Sequence, residues 1–323
     1  MPQKVFLVTS FNILSSASFI YIKKTLLQSY AFHWPFLLST LFSSLTFIVS
    51  TISIKSTNTK QNLSKKLVFL FGFLGSLKIS AEMISLDSNS FLFHVILSVL
   101  SKPIVTVFNL ILGKRENAIS LIISSLVCII GFTVFYLNNN EHSFQNIRSA
   151  AYFISSSFVY DLFEEKVRSS FLISESSFTN QCSYVQSLFC FILSIYYEIL
   201  GENSVYNSYI STDQTQYALI AAVMSCSKDV SLFLLEPLVQ PVFMNYISHI
   251  TIFLIFVVGY FTQSNSLTMD REMKTVTGVF ITIVGLVTQS LFLYSKESKS
   301  IIEPIIDNHI GADLEEEEVV RID

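Results

Sequence analysis

Apolar blocks, each about as long as a membrane-crossing helix, recur along almost the whole chain. A bilayer core about 30 Å thick is crossed by about 20 helical residues. Mostly short polar stretches separate the blocks, which cover residues 4–23, 31–54, 66–86, 90–112, 117–137, 147–168, 176–199, 216–236, 239–262 and 275–295. The pattern predicts an all-α, polytopic membrane protein with ten transmembrane helices. Its sixth and seventh helices are the least apolar, because they are rich in Ser and carry acidic residues.

Composition agrees with a membrane protein and narrows the classes of function. Hydrophobic residues make up 51% of the chain and charged residues only 14%, whereas soluble domains carry about 25% charged residues. The net charge of −4 gives no basic footprint for nucleic acid. No metalloprotease, hydrolase or phosphate-loop motif is present, and the cysteines lack metal-site spacing. The sequence therefore gives no support for an enzyme, a cofactor or a metal site, and we expect none.

The placement of Lys and Arg predicts the orientation, because cytosolic loops are enriched in these residues. A cytosolic N-terminus puts twelve of them inside: Lys4, Lys55, Lys60, Lys65, Lys66, Lys114, Arg115, Lys166, Arg168, Lys296, Lys299 and Arg321. It puts five outside: Lys23, Lys24, Arg148, Arg271 and Lys274. The asymmetry favours both termini in the cytosol, which requires an even number of helices.

Ten helices divide into two five-helix halves of opposite orientation, the layout of an inverted-repeat transporter. The division predicts a first half at 1–145, a second half at 146–299 and a disordered acidic cytosolic tail at 300–323. Pro103 in helix 4 and Pro241 in helix 9 occupy corresponding positions. Gly131 in helix 5 likewise corresponds to Gly278 and Gly285 in helix 10, and small residues allow close helix contact.

Ionisable residues within the predicted spans are the first candidates for function, because burying a charge in a membrane is costly. Lys78 and Glu82 are four residues apart on helix 3 and are expected to neutralise each other. Lys102 has no acid within a turn on its own helix. Lys228 and Asp229 are adjacent, so they should point in different directions and pair poorly. The acids at 161, 164 and 165 are expected at a hydrated helix end.

Several ordered segments resemble the nucleotide-sugar and triose-phosphate translocators, which are solute carriers of the drug/metabolite transporter superfamily. In the first half these are Phe11-Asn12, Tyr21 to Leu26, Phe32-His33-Trp34-Pro35 with Thr40, Ser85-Leu86, Asn89-Ser90, Phe93, Pro103 and Gly113-Lys114. Lys102-Pro103-Ile104 is similar to the Lys-Pro-Ile of the related UDP-galactose and adenosine phosphosulfate transporters. Pro241 followed by His249 is similar to the helix 9 segment.

The resemblance implies ten helices in two inverted halves and exchange of a nucleotide sugar for a nucleoside monophosphate across Golgi or ER membranes. Its plastid members exchange phosphorylated sugars and acids instead. The chain departs from the family at its phosphate-neutralising lysines. Val99 and Ser98 stand where the resemblance implies the helix 4 lysine, and Thr251 stands where it implies the helix 9 lysine.

The leading hypothesis is an alternating-access antiporter in a lipid bilayer, with a phosphorylated anionic metabolite and an exchange counter-substrate as its small-molecule partners. Lys102 and Lys228 would bind the phosphates, with Lys78 secondary, and Asn109, Asn245 and His249 would read the sugar or base. Two cations in one empty cavity would repel each other and couple movement to exchange. A non-transporting membrane scaffold that works through the acidic tail, and an exporter of an uncharged metabolite, are the alternatives. The sequence leaves the substrate, the organelle and formation of a homodimer open.

Overall fold

The described part of the computed structural model is built of helices. It comprises residues 2–30, 32, 34–57, 62–111, 118–138, 144–171, 173–200, 210–239, 241–263, 273–289 and 291–292, and no strand occurs among them. The first five helices are α1 (Pro2–Gln28), α2 (Pro35–Thr57), α3 (Lys65–Ser88), α4 (Phe91–Ile111) and α5 (Ala118–Asn138). The others are α6 (Phe144–Phe171), α7 (Glu175–Ser194), α8 (Thr212–Leu235), α9 (Pro241–Gln263) and α10 (Met273–Gln289). The predicted tail at 300–323 lies outside the described residues.

Seven of these helices are long and apolar enough to cross a membrane, namely α1 to α5, α7 and α8. The protein is therefore a helical membrane protein. Helix α6 has the length, but it carries Asp161 and Glu164 and has a lower apolar content. The apolar described stretches of α9 and α10, Ile247–Gly259 and Met273–Gln289, are shorter. Many large apolar side chains point outwards, including Phe6, Ile119 and Leu219, as lipid contact requires.

Local sequence explains where several helices begin. The hydroxyl of Ser64 accepts a hydrogen bond from Leu67 N, and that of Ser174 accepts one from Ser177 N. Ser211 forms a capping box with Gln214, which satisfies two otherwise unpaired groups at the start of α8. Pro35 and Pro241 occupy the first positions of α2 and α9, where the missing N–H of proline costs nothing.

The helix packing has a regular arrangement. Helix α1 packs against α8 and α9, whereas α6 packs against α3 and α4. Helices α2 and α7 pack against each other, and α2 also contacts α8 while α7 contacts α3. Buried Ser residues are common at these contacts, for example Ser39 and Ser43 on α2 and Ser76 and Ser80 on α3. Such small residues let membrane helices approach closely.

Glycines bring α5 and α10 into direct backbone contact. A Cβ added at Gly131 would lie 2.5 Å from Thr282 N, and one added at Gly278 would lie 2.6 Å from Phe135 N. One added at Gly285 would lie 2.6 Å from the Sγ of Cys128. The glycines that the sequence analysis paired between the two halves therefore meet at one helix contact, where no larger residue fits without a shift of the backbone.

We expect Gly278→Val to lower the free energy of unfolding by about 2–3 kcal/mol, because overpacking a close contact forces the backbones apart. Thermal and denaturant unfolding of the purified protein in detergent would measure the change. Thr277→Val, at the neighbouring exposed position, is the control and should change stability by less than about 0.5 kcal/mol. Equal stability of the two variants would contradict the close approach of α5 and α10.

Candidate functional site

Two consecutive lysines near the end of α1 are buried inside the helix assembly. Lys23 is 3% exposed and Lys24 is 5% exposed. Lys23 forms an ion pair with Glu82 of α3, and the ammonium of Lys24 donates to the carbonyl oxygens of Leu86 and Asn89. The first span, predicted to end at residue 23, therefore extends further along the chain. Helix α1 continues to Gln28, and an acid and carbonyls from α3 compensate the charges within the bundle.

Lys78 is held by α6 rather than by its own helix. Its Nζ lies 2.7 Å from Asp161 Oδ1 and 4.6 Å from the centre of the Tyr160 ring. The other carboxylate oxygen of Asp161 accepts a hydrogen bond of 2.8 Å from Ser101 Oγ of α4. The expected pairing of Lys78 with Glu82 is replaced by two pairs between helices, since α3 lies between α1 and α6.

Lys228 and Asp229 form a pair despite being adjacent on α8. Lys228 Nζ lies 3.1 Å from Asp229 Oδ1, and Asp229 Oδ2 accepts a hydrogen bond of 2.5 Å from Thr46 Oγ1 on α2. The expectation of poor pairing is wrong, because the long flexible lysine stem curls back to its neighbour. Asp229 faces the neighbouring helix α2 through this contact with Thr46.

An aromatic ring joins two of these pairs. The Nζ atoms of Lys23 and Lys228 lie 5.0 Å and 5.3 Å from the centre of the Phe19 ring, within the range of cation–π attraction. Asn12 of α1 donates to the backbone oxygen of Lys228 at 3.2 Å and to Ser231 Oγ at 2.9 Å. Helices α1 and α8 are thus joined by polar contacts beside the Lys228 charge.

We name Lys23–Glu82, Lys78–Asp161 and Lys228–Asp229 the interior ion pairs. They connect α1, α3, α6 and α8, and each couples an ammonium to a carboxylate. Their exposure differs: Lys78 and Lys228 are 32% and 33% exposed, and Glu82 and Asp161 are 26% and 23% exposed. Lys23 and Asp229 are only 3% and 5% exposed. A ligand could therefore reach two ammonium and two carboxylate groups, while the two most buried charges serve as fixed counter-ions.

A polar contact network lies beside the interior ion pairs. Asn89 Nδ2 donates to Ser85 O at 3.1 Å and to Ser149 Oγ of α6 at 2.9 Å. His94 Nδ1 lies 3.0 Å from Ser85 Oγ, and the imidazole stacks on Phe153 with ring centres 5.0 Å apart. His94 thus joins α3, α4 and α6 by packing and hydrogen bonding, which is the common role of a lone histidine on an apolar helix.

The structure places the other predicted site residues as follows. Lys102 and Asn245 lie on α4 and α9, and their side chains are outside the described part of the structure. Asn109 on α4 and His249 on α9 are both buried, on helices that pack against each other. Lys78 and Lys228 belong to the interior ion pairs, and both interact electrostatically with Glu82.

The positions where the resemblance implies lysines have other surroundings in this chain. Val99 is 3% exposed and packs with Cys128 and Leu286 in an apolar cluster. Thr251 is buried, and its hydroxyl donates to Ile247 O of its own helix at 2.8 Å. Ser98 is exposed and donates to Val95 O at 2.7 Å. A lysine at position 99 would place its ammonium in an apolar contact between α4, α5 and α10. This contact therefore does not suit a phosphate-binding lysine.

A buried acid that the sequence analysis did not single out holds the start of α2. Helix α7 ends in a π-helical turn, Ile195–Ile199, and this turn carries Glu198, which is 4% exposed. Its carboxylate accepts hydrogen bonds from Phe36 N at 2.6 Å, Leu37 N at 3.0 Å and Ser194 Oγ at 2.6 Å. A carboxylate at a helix N-terminus is favoured by the free N–H groups and the helix dipole. Glu236, after α8, accepts from the backbone N–H groups of Glu175 and Ser176 at the start of α7 in the same way.

The described residues contain no group of three or more His, Cys, Asp or Glu side chains that could hold a metal ion. The four cysteines lie on described helices and are free thiols. Cys128, Cys182 and Cys190 are buried, as is common for free cysteines, whereas Cys226 is partly buried.

Comparison with known proteins supports the fold and does not identify a function. No family model matches this sequence, and no curated protein matches it. A solved structure described as "Crystal structure of protein" superposes on it with a TM-score of 0.53. The match covers 87% of this chain and 96% of that chain at 9% sequence identity. At so low an identity the likeness shows a shared fold alone.

Proposed function

We propose that this protein is an alternating-access secondary transporter of the drug/metabolite type, with ten transmembrane helices in two inverted five-helix halves. The packing supports this proposal. In two such halves α1 corresponds to α6, α3 to α8 and α4 to α9. Helix α1 contacts α8 and α9, and its counterpart α6 makes the equivalent contacts with α3 and α4. Likewise, α2 corresponds to α7, and the α2–α8 contact has its equivalent in α7–α3. Such internal symmetry is typical of transporters with inverted repeats.

The proposed substrate is a nucleotide sugar or a similar phosphorylated anion, carried across a Golgi or ER membrane with both termini in the cytosol. The observation that carries this proposal is the pair of partly exposed ammonium groups, Lys78 and Lys228, on the interior faces of α3 and α8. An ionisable residue within a membrane helix is costly to bury and is by default a candidate for a substrate pathway. Lys102 would add a third cation, and Asn109, Asn245 and His249 would contact the sugar or base.

Exchange in proteoliposomes tests this function. The purified protein is reconstituted, and uptake of radiolabelled UDP-galactose, GDP-mannose and glucose 6-phosphate is measured with and without internal nucleoside monophosphate or inorganic phosphate. Uptake of one compound, accelerated by an internal anion, is the expected result. Lys102→Ala and Lys228→Ala should each reduce that uptake at least about tenfold, the loss expected for a charge-assisted contact. Lys65→Ala, at an exposed position, is the control, and normal transport by both site variants would show that the assigned site is wrong.

A second candidate, an exporter of an uncharged metabolite, is favoured by one observation. Lys78 and Lys228 already have carboxylates at 2.7 Å and 3.1 Å, so neither lysine needs a substrate anion for neutrality. Such an exporter would tolerate the loss of either lysine and would not respond to internal monophosphate. A folded protein that transports none of the compounds would instead favour the scaffold, whose function should be lost when residues 300–323 are deleted.

A further inference from the structure

The interior ion pairs bear on how the proposed transporter couples its substrates. An obligatory exchanger must be unable to change orientation while empty. The simplest physical block is an uncompensated charge that the closing cavity would remove from water, which is strongly unfavourable without a counter-ion. Bound substrate supplies the counter-ion, so only the loaded carrier moves. The sequence alone suggested this arrangement, with two repelling cations in one cavity.

The structure shows a different arrangement among its described residues. Lys23, Lys78 and Lys228 each have a carboxylate at salt-bridge distance, and these carboxylates are Glu82, Asp161 and Asp229. Two of the three acids are anchored by a further donor, Ser101 for Asp161 and Thr46 for Asp229. Each pair is formally neutral and is held in place by neighbouring helices, so these three lysines already have counter-ions without a substrate.

Two of the pairs are part of contacts between helices of the two proposed halves. Lys78–Asp161 joins α3 to α6, and Asp229 joins α8 to α2 through Thr46. Both pairs also have a partly exposed ammonium, so an anionic group can approach the lysine while the carboxylate keeps its second hydrogen bond. A substrate would therefore compete with an internal carboxylate for each lysine rather than fill an uncompensated site.

We infer that the empty carrier changes orientation without a counter-substrate, so that exchange accelerates transport but is not required for it. This inference rests on the proposed function and deepens it: Asp161 and Asp229 act as internal stand-ins for the substrate anion. They are positioning residues, which act through the partly exposed Lys78 and Lys228. Removing one of these carboxylates should turn a transporter capable of net transport into one that depends on exchange.

The test measures two rates on the same proteoliposomes. They are loaded with radiolabelled UDP-galactose, GDP-mannose or glucose 6-phosphate, and efflux is followed into medium without substrate and into medium with the same unlabelled compound. The ratio of net efflux to exchange does not depend on how much protein has folded. For the unaltered protein we expect net efflux at no less than about one third of the exchange rate, because Lys23, Lys78 and Lys228 each keep a carboxylate partner in the empty form.

Asp161→Asn keeps the shape of the side chain and removes the carboxylate that lies 2.7 Å from Lys78 Nζ, so the ratio should fall about tenfold. Glu82→Gln should act in the same direction through Lys23. The double variant Lys23→Met/Glu82→Gln removes both charges of a pair outside the proposed binding lysines and should restore the ratio lost in Glu82→Gln, whatever its absolute rates. Asp213→Asn, an equal change at an exposed position, is the matched control and should leave the ratio unchanged.

The possible outcomes separate the two proposals. Exchange without measurable net efflux in the unaltered protein, or an unchanged ratio in Asp161→Asn, overturns the inference and leaves the proposed function standing. Absence of both exchange and net efflux for every compound overturns the proposed function, and the inference fails with it.

Discussion

Replacing Glu82 with Leu while Lys23 is retained should lower the free energy of unfolding by about 3–5 kcal/mol, the loss expected when one partner of a buried pair is removed. Lys23 is 3% exposed, and its ammonium lies over the face of Phe19. Without Glu82 that charge has no carboxylate within salt-bridge distance among the described side chains. The remaining cation–π contact, about 0.5–2 kcal/mol, is too weak to compensate for the lost counter-ion.

A variant that lacks both charges gives this prediction its control. Lys23→Met/Glu82→Leu removes both charges and preserves apolar volume, a change that is often neutral or stabilising, so it should regain most of the stability lost in Glu82→Leu. Asp213→Leu, at an exposed position in the first turn of α8, should lower stability by less than about 1 kcal/mol, the loss expected for an exposed acid at a helix N-terminus. Denaturant unfolding in mixed micelles would measure all four proteins. A double variant no more stable than Glu82→Leu would show that Lys23 was not the group left uncompensated.

Replacing Glu198 with Ala should lower the free energy of unfolding by about 2–4 kcal/mol, because buried donors would be left unsatisfied. The carboxylate accepts from two N–H groups of α2 and from the Ser194 hydroxyl. The residue is nearly inaccessible, so water cannot easily replace the carboxylate. Glu198→Gln keeps one acceptor oxygen, and the loss of stability should be about half as large.

Hydrogen exchange gives the Glu198 prediction a local measurement. The amides of Phe36 and Leu37 should exchange faster in Glu198→Ala, while amides in the middle of α2 should change less. Glu236→Ala is the matched comparison, because this half-buried acid holds the start of α7 in the same way and its loss should destabilise that helix less. Unaltered protection of Phe36 and Leu37 would mean that Glu198 does not hold the start of α2.

Hydropathy alone could predict most of the helices, and it failed where polar residues are paired. Helix α3 was predicted at 66–86 and is Lys65–Ser88, and α4 was predicted at 90–112 and is Phe91–Ile111. The length of an apolar block predicts a helix well, because a segment in lipid must form its backbone hydrogen bonds within itself, as a helix does. The end of α1 was missed by five residues, since two lysines end an apolar block on any hydropathy scale. Their partners come from α3, and a scale that reads one residue at a time contains no information about them.

The sequence could predict which charged residues belong to the candidate site, but it could not predict which of them contact each other. Lys78 and Lys228 were singled out because they are charges within spans, and the structure places both in the interior ion pairs. Asp161 was expected at a hydrated helix end, whereas it lies between Lys78 and Ser101. Pairing between helices depends on which faces meet, and the residues concerned are 83 positions apart. Helical spacing can suggest partners only within one helix.

The buried lysines of α1 have a consequence for biosynthesis. Glu82 follows Lys23 by 59 residues, and Asn89 follows Lys24 by 65, so α1 emerges from the ribosome well before the groups that compensate its charges. A lysine at the centre of an isolated membrane helix costs about 2.5–3.5 kcal/mol, and less towards its ends. Until α3 arrives, both ammonium groups should extend to the lipid headgroups, which their long stems allow. The first helix would thus reach its final depth only when the third inserts beside it, and a nascent chain cut before Glu82 would hold α1 at a shallower position.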